Sequence, residues 1–248
     1  MDDSELLRYS RQIMLPEIDV LGQEKLRSAS ALILGLGGLG SPVAFYLAAS
    51  GLGSLVLADD DSVDISNLQR QIIHNQDNIG RNKASSAQLT LTKLNPSVET
   101  KVIQHRMSAT ELMELVESVH LVIDCCDNLE TRQLINEVCW KNKKPLISGA
   151  AIRWEGHIST FDSSNPESPC YRCLYPDENS GANLSCSENG VVSPLVGIIG
   201  TIQAMEAIKL ISGVGESLIG KVMYYDAKKN DWKKFNLTRA PNCPVCSN

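Results

Sequence analysis

The sequence predicts an α/β fold with a mixed, mostly parallel central sheet and a C-terminal antiparallel extension. Three observations predict this class. An apolar strand at residues 31–34 runs into a glycine-rich turn and a helix. Strand and helix patterns then alternate to about residue 150, as in parallel sheets with right-handed crossovers. Beyond that point, two closing strands at 221–226 and 232–237 are spaced to pair as a hairpin.

The elements follow from local patterns. Helices are predicted at 5–15, 23–28, 39–49, 83–94, 108–116 and 130–141, and strands at 31–34, 55–58, 98–103, 120–124, 145–147 and 156–161. Helix 83–94 ends at Asn95 because the following proline disfavours helical geometry there. Ser108 and Glu111 have capping-box spacing. Residues 194–212 are predicted to form an apolar helix that ends at Gly213 and is buried in a core or in a subunit interface. We expect one domain over 1–248.

Composition narrows the functional classes. The 248 residues carry a net charge of −6 without a basic tract, which argues against nucleic-acid binding. A charge-free apolar run of about eighteen residues is missing, so we predict no membrane span. The N-terminal residues do not follow a signal-peptide pattern, and we expect a cytoplasmic protein. Eight cysteines in a reducing compartment indicate metal binding or thiol chemistry rather than disulfides.

The glycine-rich turn predicts a nucleotide site. Gly35, Gly37 and Gly40 have the G-x-G-x-x-G spacing, and Gly38 adds a fourth glycine. Glycine permits a tight turn and a close approach of phosphate to the backbone, and the helix start attracts anions. Asp59 follows the next strand, where a ribose-binding acid is expected. A dinucleotide such as NAD is the default ligand of this spacing, and a turn without a ligand is the alternative.

Two C-x-x-C pairs predict a metal site. Cys170 and Cys173 form the first pair, and Cys243 and Cys246 form the second. Together they would complete a Cys₄ zinc site with no open position, which would join the C-terminal tail to the domain rather than catalyse a reaction. The alternative is a redox pair, but no thioredoxin-like pattern surrounds either one.

The other cysteines divide into two groups. Cys186 lies in a long polar loop, where it is either a thiol nucleophile or an accidental surface cysteine. Cys125, Cys126 and Cys139 fall in strand or helix patterns and are expected to be small core residues.

Polar residues near the strand ends are candidate ligand contacts. Asp127 follows a central strand and should share a crevice with the glycine turn, where it would hold Mg²⁺ or cap a helix. Asn67, Arg70 and Lys83 are candidate phosphate or ribose contacts, with solvated side chains as the alternative. Arg11 has no local purpose and would be a solvated surface residue.

Taken together, the motifs resemble one family over nearly the whole chain, from Arg8 to Cys246. The motifs are those at 8–13, 35–40, 66–71, 124–128, 170–173 and 200–209. The family is that of the bacterial sulfur-carrier adenylyltransferases, MoeB and ThiF, which are relatives of the ubiquitin-activating enzymes.

This resemblance implies a Rossmann-like ATP-binding fold and a homodimer that binds ATP and Mg²⁺. The enzyme would adenylate the C-terminal glycine of a ubiquitin-like sulfur carrier ending in Gly-Gly, for molybdopterin or thiamine biosynthesis. Residues 1–150 would form the nucleotide half, and residues 151–248 the half that binds the carrier and Zn²⁺. A sulfurtransferase or cysteine desulfurase is a further expected partner.

The resemblance also implies roles for individual residues. Gly38 should lie against the phosphates and Asp59 on the ribose; Asn67, Arg70 and Lys83 should contact the triphosphate. Asp127, followed by Asn128, should hold the Mg²⁺. Arg11 should reach into the partner subunit's active site. The two C-x-x-C pairs fall on the family's zinc ligands, and Cys186 falls where thiamine-type members have a cysteine that links to the carrier.

Two positions depart from the family pattern, and the subfamily signals are mixed. Cys126 replaces a usual threonine, which adds a thiol near the nucleotide, and Asn242 replaces a usual glycine. Residues 57–61 and 173–177 are similar to thiamine-type members. Residues 79–80, 148–153 and 155–156 are similar to molybdopterin-type members. The sequence therefore leaves the carrier open.

Three rival functions are weighed against carrier adenylation. A nicotinamide-dependent oxidoreductase would need a proton-relay pair such as Tyr-x-x-x-Lys beyond the nucleotide half, which we do not find. A zinc-bearing ATP-binding scaffold would bind ATP without turnover. Adenylation of RNA or a small molecule keeps the chemistry and changes the acceptor, but the acidic charge argues against RNA.

Overall fold

A computed structural model of the protein describes residues 1–176 and 189–247. In these residues, one sheet has the strand order β3-β2-β1-β4-β5-β6-β7-β8. Its strands are β1 (Ser30–Leu34), β2 (Ser54–Ala58), β3 (Glu99–Ile103), β4 (Leu121–Asp124), β5 (Leu146–Ile152), β6 (Glu155–Phe161), β7 (Lys221–Asp226) and β8 (Asp231–Asn236). Pairing is parallel from β3 to β5 and antiparallel from β5 to β8. The predicted mixed α/β fold is confirmed.

Helices cover both faces of the parallel part. They are α1 (Asp3–Arg8), α2 (Ser10–Ile13), α3 (Asp19–Ser28), α4 (Gly40–Ala49), α5 (Lys83–Leu94), α6 (Ala109–Ser118), α7 (Leu129–Lys141), α8 (Tyr171–Leu174) and α9 (Ser193–Ser212). One apolar core lies between the sheet and α4, α5 and α9, and a second lies under α6 and α7. The predicted capping box at Ser108 is present, with Glu111 bonded to the Ser108 backbone.

The structure differs from prediction in four places. Helix α3 begins at Asp19 rather than at residue 23. The first predicted helix is broken at the buried Tyr9, whose hydroxyl accepts a hydrogen bond from Asn95 Nδ2 at 2.9 Å. Strand β5 continues to Ile152 rather than stopping at residue 147, because its second half pairs with β6 as a hairpin. The short helix α8 was not predicted, since four residues give no periodic signal.

Helix α9 is long and apolar enough, by length and composition, to cross a membrane. Half of its most apolar window is nevertheless buried inside the chain. It packs on the face of β5 and β6 and carries two fully buried polar residues, Gln203 and Glu206. Its buried side is therefore a core contact, as the sequence predicts, and it ends at Gly213 with φ +79°.

Candidate functional site

A cleft of about 870 Å³ opens at the carboxyl ends of the parallel strands and extends onto the antiparallel strands. This is the edge at which open α/β sheets bind ligands. Most of the predicted nucleotide-site residues line the cleft: Gly38, Asp59, Arg70, Lys83, Asp127 and Asn128. Its volume falls within the range of small-molecule sites.

The glycine turn forms one wall of the cleft. Several of its glycines are required by the packing of the protein itself, independently of any ligand. Gly35 has φ +89°, a left-handed conformation that disfavours other residues. A Cβ on Gly40 would lie 1.9 Å from the Gly35 carbonyl oxygen. A Cβ on Gly38 would lie 2.9 Å from Val196 on α9. The G-x-G-x-x-G pattern therefore indicates close packing of the turn as well as space for a ligand.

Asp59 ties strand β2 to the glycine turn. Its Oδ2 accepts a hydrogen bond from the Leu36 backbone N–H at 2.7 Å, and its Oδ1 accepts one from Asp61 N–H at 2.9 Å. Burial raises the pKa of the Asp59 carboxyl, and these hydrogen bonds oppose the rise. The carboxylate is thus fixed by two backbone donors at the wall of the cleft.

The predicted cations Arg70 and Lys83 also line the cleft. Lys83 is 6% exposed and begins α5; its Nζ donates to Asp61 Oδ2 at 2.9 Å. Arg70 is half-buried, and its guanidinium donates to the Ser66 carbonyl at 3.2 Å. Both side chains reach the cleft and present positive charge where a phosphate would meet the glycine turn.

Two buried polar residues from the segment between β2 and α5 support this wall. His74 bonds to Ser86 Oγ at 2.8 Å and to the Leu36 carbonyl at 2.9 Å, and burial lowers its pKa. The carbonyl needs a donor, so Nε2 carries the proton. Gln71 lines the cleft with a buried Oε1 that has no hydrogen-bond partner. Such an orphaned acceptor fits a site that a ligand completes.

Asp127 and Asn128 have different roles in the loop after β4. Asn128, not Asp127, caps α7, accepting a hydrogen bond from Thr131 N–H at 2.9 Å. Asp127 is exposed in the cleft, and its carboxylate makes no hydrogen bond within the part of the chain that the structure describes. An unbonded carboxylate beside a phosphate-binding turn fits Mg²⁺, which takes one or two protein carboxylates and keeps waters. The helix-cap alternative for Asp127 is wrong.

Sequence reasoning missed Arg132, a buried cation directly behind this loop. Its NH1 donates to Asp124 Oδ2 and Ser148 Oγ, each at 3.1 Å. Its NH2 donates to the Gly149 carbonyl at 2.8 Å and to the Cys126 carbonyl. Burial, the largest single influence, lowers the pKa of Arg132, but the Asp124 carboxylate together with Tyr171, Cys126 and Tyr175 raises it overall. The sequence signal that could have identified Arg132 is a charged residue on the inward-facing side of the predicted helix 130–141.

The far end of the cleft lies on the antiparallel strands. His157 on β6 contacts the Tyr175 hydroxyl through Nε2 at 3.0 Å, and Tyr224 lies opposite His157 on β7. Burial, with a smaller effect of Arg132, lowers the pKa of His157 to about 4. Aromatic side chains and a neutral histidine, together with Glu155, thus continue the cleft beyond the glycine turn. No sequence motif predicts that His157, Tyr175 and Tyr224 line the cleft.

Three predicted residues are not placed in the cleft. Arg11 is exposed on α2, where its guanidinium contacts Met14 Sδ at 3.7 Å. Asn67 is half-buried, bonds to Ser66 Oγ at 3.1 Å, and does not line the cleft. Cys186 lies outside the described residues.

The two C-x-x-C pairs meet in space. Their four sulfur atoms lie within 4.8 Å of one another, and three of the four residues are buried. Cys170 and Cys243 sulfurs are 3.5 Å apart, and those of Cys173 and Cys246 are 3.4 Å apart. Sulfur ligands of a tetrahedral zinc, each at about 2.3 Å from it, lie about 3.8 Å apart. The arrangement fits a closed Cys₄ zinc site.

The remaining described cysteines are mostly core residues, as predicted. Cys125 and Cys139 are buried. Cys126 is half-buried: it packs against the second core and also lines the cleft, so its predicted core role holds in part. Burial raises the pKa of the Cys126 thiol, which therefore stays protonated near neutral pH.

The fold and site define a nucleotide-binding α/β protein with a phosphate turn, a flanking pair of cations and a Cys₄ cluster. The ThiF family model matches residues 9–245, and the chain belongs to the ThiF family.

Two named relatives match the chain over nearly their whole length. The chain is 46% identical to the sulfur carrier protein ThiS adenylyltransferase of Escherichia coli over 246 residues, covering 99% of this chain and 97% of that one. It is 45% identical to the molybdopterin-synthase adenylyltransferase of the same organism, covering 99% and 98%. Among solved structures, E. coli MccB with ATP superposes with a TM-score of 0.84 at 26% identity, covering 97% of this chain and 75% of that one.

Proposed function

We propose that the protein adenylates the C-terminal glycine of a small ubiquitin-like sulfur carrier protein, releasing pyrophosphate, for molybdopterin or thiamine biosynthesis. The observation that carries the proposal is the cleft, which places Arg70 and Lys83 beside the glycine turn at the charged end of an open channel. Membership of a family that includes named sulfur-carrier adenylyltransferases implies ATP as the nucleotide.

The reaction does not require a general acid or a general base from the protein. The carrier's carboxylate attacks the α-phosphorus, the bond to the β-phosphate oxygen breaks, and pyrophosphate leaves. Because the nucleophile is already anionic, positioning and charge neutralisation dominate. Arg70 and Lys83 would neutralise the triphosphate, with Asn67 turning towards it, and Gly38 would allow the phosphates to approach. Asp59 would hold the ribose.

Asp127 would hold Mg²⁺, with Asn128 fixing the loop by capping α7. The metal would supply positive charge on the phosphate oxygens. Cys170, Cys173, Cys243 and Cys246 would hold Zn²⁺, which would join the C-terminal tail to α8 and complete no catalytic step.

The antiparallel half supports a protein acceptor rather than a small molecule. Strand β8 is an edge strand, and Lys233 and Phe235 are exposed on the same side of the sheet as the cleft residues His157 and Tyr224. No helix covers this side of β7 and β8 in the described residues. The carrier body would dock there, with its C-terminal tail entering the cleft.

Two further assignments belong to the same proposal. Arg11 would act across a homodimer. Gln12 anchors its segment to the end of α4 and Tyr9 anchors it to the end of α5, while the Arg11 side chain is exposed. Cys186 would form a link to the carrier after activation. The protein would act in the cytoplasm, and a sulfurtransferase or cysteine desulfurase would supply the sulfur.

Carrier-dependent exchange of labelled pyrophosphate into ATP tests the proposal. We expect exchange only with Mg²⁺ and a carrier ending in Gly-Gly, and none with the same carrier lacking its last glycine. ATP binding without exchange would instead support the scaffold alternative, and NADH-linked absorbance changes would support the oxidoreductase. A Cys186→Ala protein should still support exchange but form no thiol-linked carrier adduct.

A further inference from the structure

Arg132, the buried arginine behind the Asp127 loop, has hydrogen-bond acceptors for all the N–H groups of its two terminal nitrogens. Each terminal nitrogen of Arg132 carries two hydrogens, and each hydrogen has an acceptor: Asp124 and Ser148 for one nitrogen, the Cys126 and Gly149 carbonyls for the other. Arg132 is 6% exposed. Its terminal N–H groups are therefore used inside the protein and are not available to a ligand.

The four acceptors belong to three parts of the chain that must stay in register. Asp124 ends the parallel strand β4, and Cys126 lies in the loop directly before Asp127. Ser148 and Gly149 lie in β5, where the sheet changes from parallel to antiparallel pairing. Ser148 Oγ also donates to Asp124 Oδ2 at 2.6 Å. The guanidinium thus joins the Asp127 loop to both strands.

Asp127 itself has no such restraint on its side chain. Its carboxylate makes no hydrogen bond within residues 1–176 and 189–247, so its position depends on the backbone of its loop. The loop backbone is held where Arg132 NH2 donates to the Cys126 carbonyl, where Cys126 N–H donates to Asp124 Oδ1 at 3.0 Å, and where the Arg132 backbone N–H donates to the Asn128 carbonyl at 3.3 Å. The Asn128 side chain also caps α7. Removing the planar fork of Arg132 would free the residue next to Asp127.

We infer that Arg132 is a positioning residue that holds Asp127 where it binds the divalent cation of the nucleotide complex. The inference rests on the proposed function only for the identity of the cation, and it concerns metal affinity rather than carrier chemistry. Lysine keeps the charge but offers a single nitrogen, so it cannot reproduce a fork that reaches two strands and a loop.

The test uses Mn²⁺ as the probe, in the full-length protein with α,β-methylene-ATP and no carrier. Electron paramagnetic resonance gives the Mn²⁺ dissociation constant. We expect Arg132→Lys to raise this constant about tenfold and to speed deuterium exchange in a peptide covering residues 125–128. The matched control is Arg81→Lys, an exposed arginine outside the cleft, which should change neither by more than about twofold.

A second variant and a double-mutant cycle keep the inference falsifiable. If Arg132→Lys does not fold by circular dichroism, Ser148→Ala still removes one acceptor and should raise the Mn²⁺ constant about two- to threefold. With Asp127→Asn already present, adding Arg132→Lys should change Mn²⁺ affinity less than twofold. Unchanged affinity in folded single variants, or effects that multiply in the double variant, would overturn it. Carrier-dependent exchange separately tests the proposed function.

Discussion

The parallel half of the sheet is covered on both faces, whereas the antiparallel half ends in an exposed edge strand. The two halves therefore suit different tasks. Strands β1, β2 and β4 are covered on both faces, and the residues at their carboxyl ends are fixed by hydrogen bonds, as Asp59 is by Leu36 and Asp61. Strand β8 is exposed along most of its length. A rigid wall suits positioning of phosphates, and an open edge suits docking of a second protein.

The largest expected effect lies in the parallel half. Arg70→Ala or Lys83→Ala should lower carrier-dependent pyrophosphate exchange by about a thousandfold or more, because each removes a charge that neutralises the triphosphate. Lys93→Ala is the matched control, since Lys93 is exposed on the same helix as Lys83 and should leave exchange within about twofold. Exchange at the wild-type rate in folded Arg70→Ala or Lys83→Ala protein would remove these residues from the site.

Loss of the Cys₄ cluster should be the next largest effect, and it should be one of stability. Cys243→Ser or removal of zinc by a chelator should lower the melting temperature by about 10 °C, because metal binding at such a site is coupled to folding. Calorimetry with metal analysis checks this. Cys126→Ser is the control, since Cys126 lies outside the cluster. A purified protein without zinc that melts at the wild-type temperature would contradict the prediction.

The open face of β8 offers a smaller, more specific test. Phe235 is 53% exposed on the cleft side, whereas Trp232 is on the opposite face and stacks on Tyr225 with ring centroids 4.2 Å apart. Phe235→Ala should raise the KM for the carrier about tenfold and leave ATP affinity unchanged, as for a central aromatic contact. Trp232→Ala should change stability more than carrier KM. The reverse pattern would place the carrier elsewhere.

The smallest effect concerns pH and the far end of the cleft. His157 has a folded-state pKa of about 4 against an ordinary 6.5, so the unfolded chain binds more protons between these values. Its contribution to stability is full above about pH 6.5 and falls as the pH drops towards 4. Urea unfolding of His157→Gln should show a flatter pH profile over this range; identical profiles would contradict the assignment.

How far the sequence predicts the structure depends on whether the signal is local. The sequence correctly predicts the glycine turn, the capping box at Ser108 and the end of α9. Each of these depends on glycine or serine residues that determine the conformation of only a few neighbouring residues. The C-x-x-C spacing predicted each half of the cysteine cluster, but only the fold brings residues 170 and 243 together.

The missed features depend on tertiary contacts. Tyr9 interrupts a helix because its ring packs beside Gly51. Strand β5 extends past its apolar residues because β6 pairs with it. Arg132 and His157 have neighbours from distant strands, so neither their burial nor their roles follow from local periodicity. The resemblance to a family predicts residues that the structure brings to one cleft, but it does not indicate which residues hold the loops of that cleft.

The central claim is that the cleft transfers AMP to a carrier's terminal carboxylate. Intact mass spectrometry of the carrier, after brief incubation with this protein and Mg²⁺-ATP, measures that product directly. Our account predicts a carrier heavier by one adenylyl group, lost on treatment with pyrophosphate and absent with the Lys83→Ala protein. A carrier of unchanged mass, with ATP bound and each candidate Gly-Gly carrier tried, would contradict it.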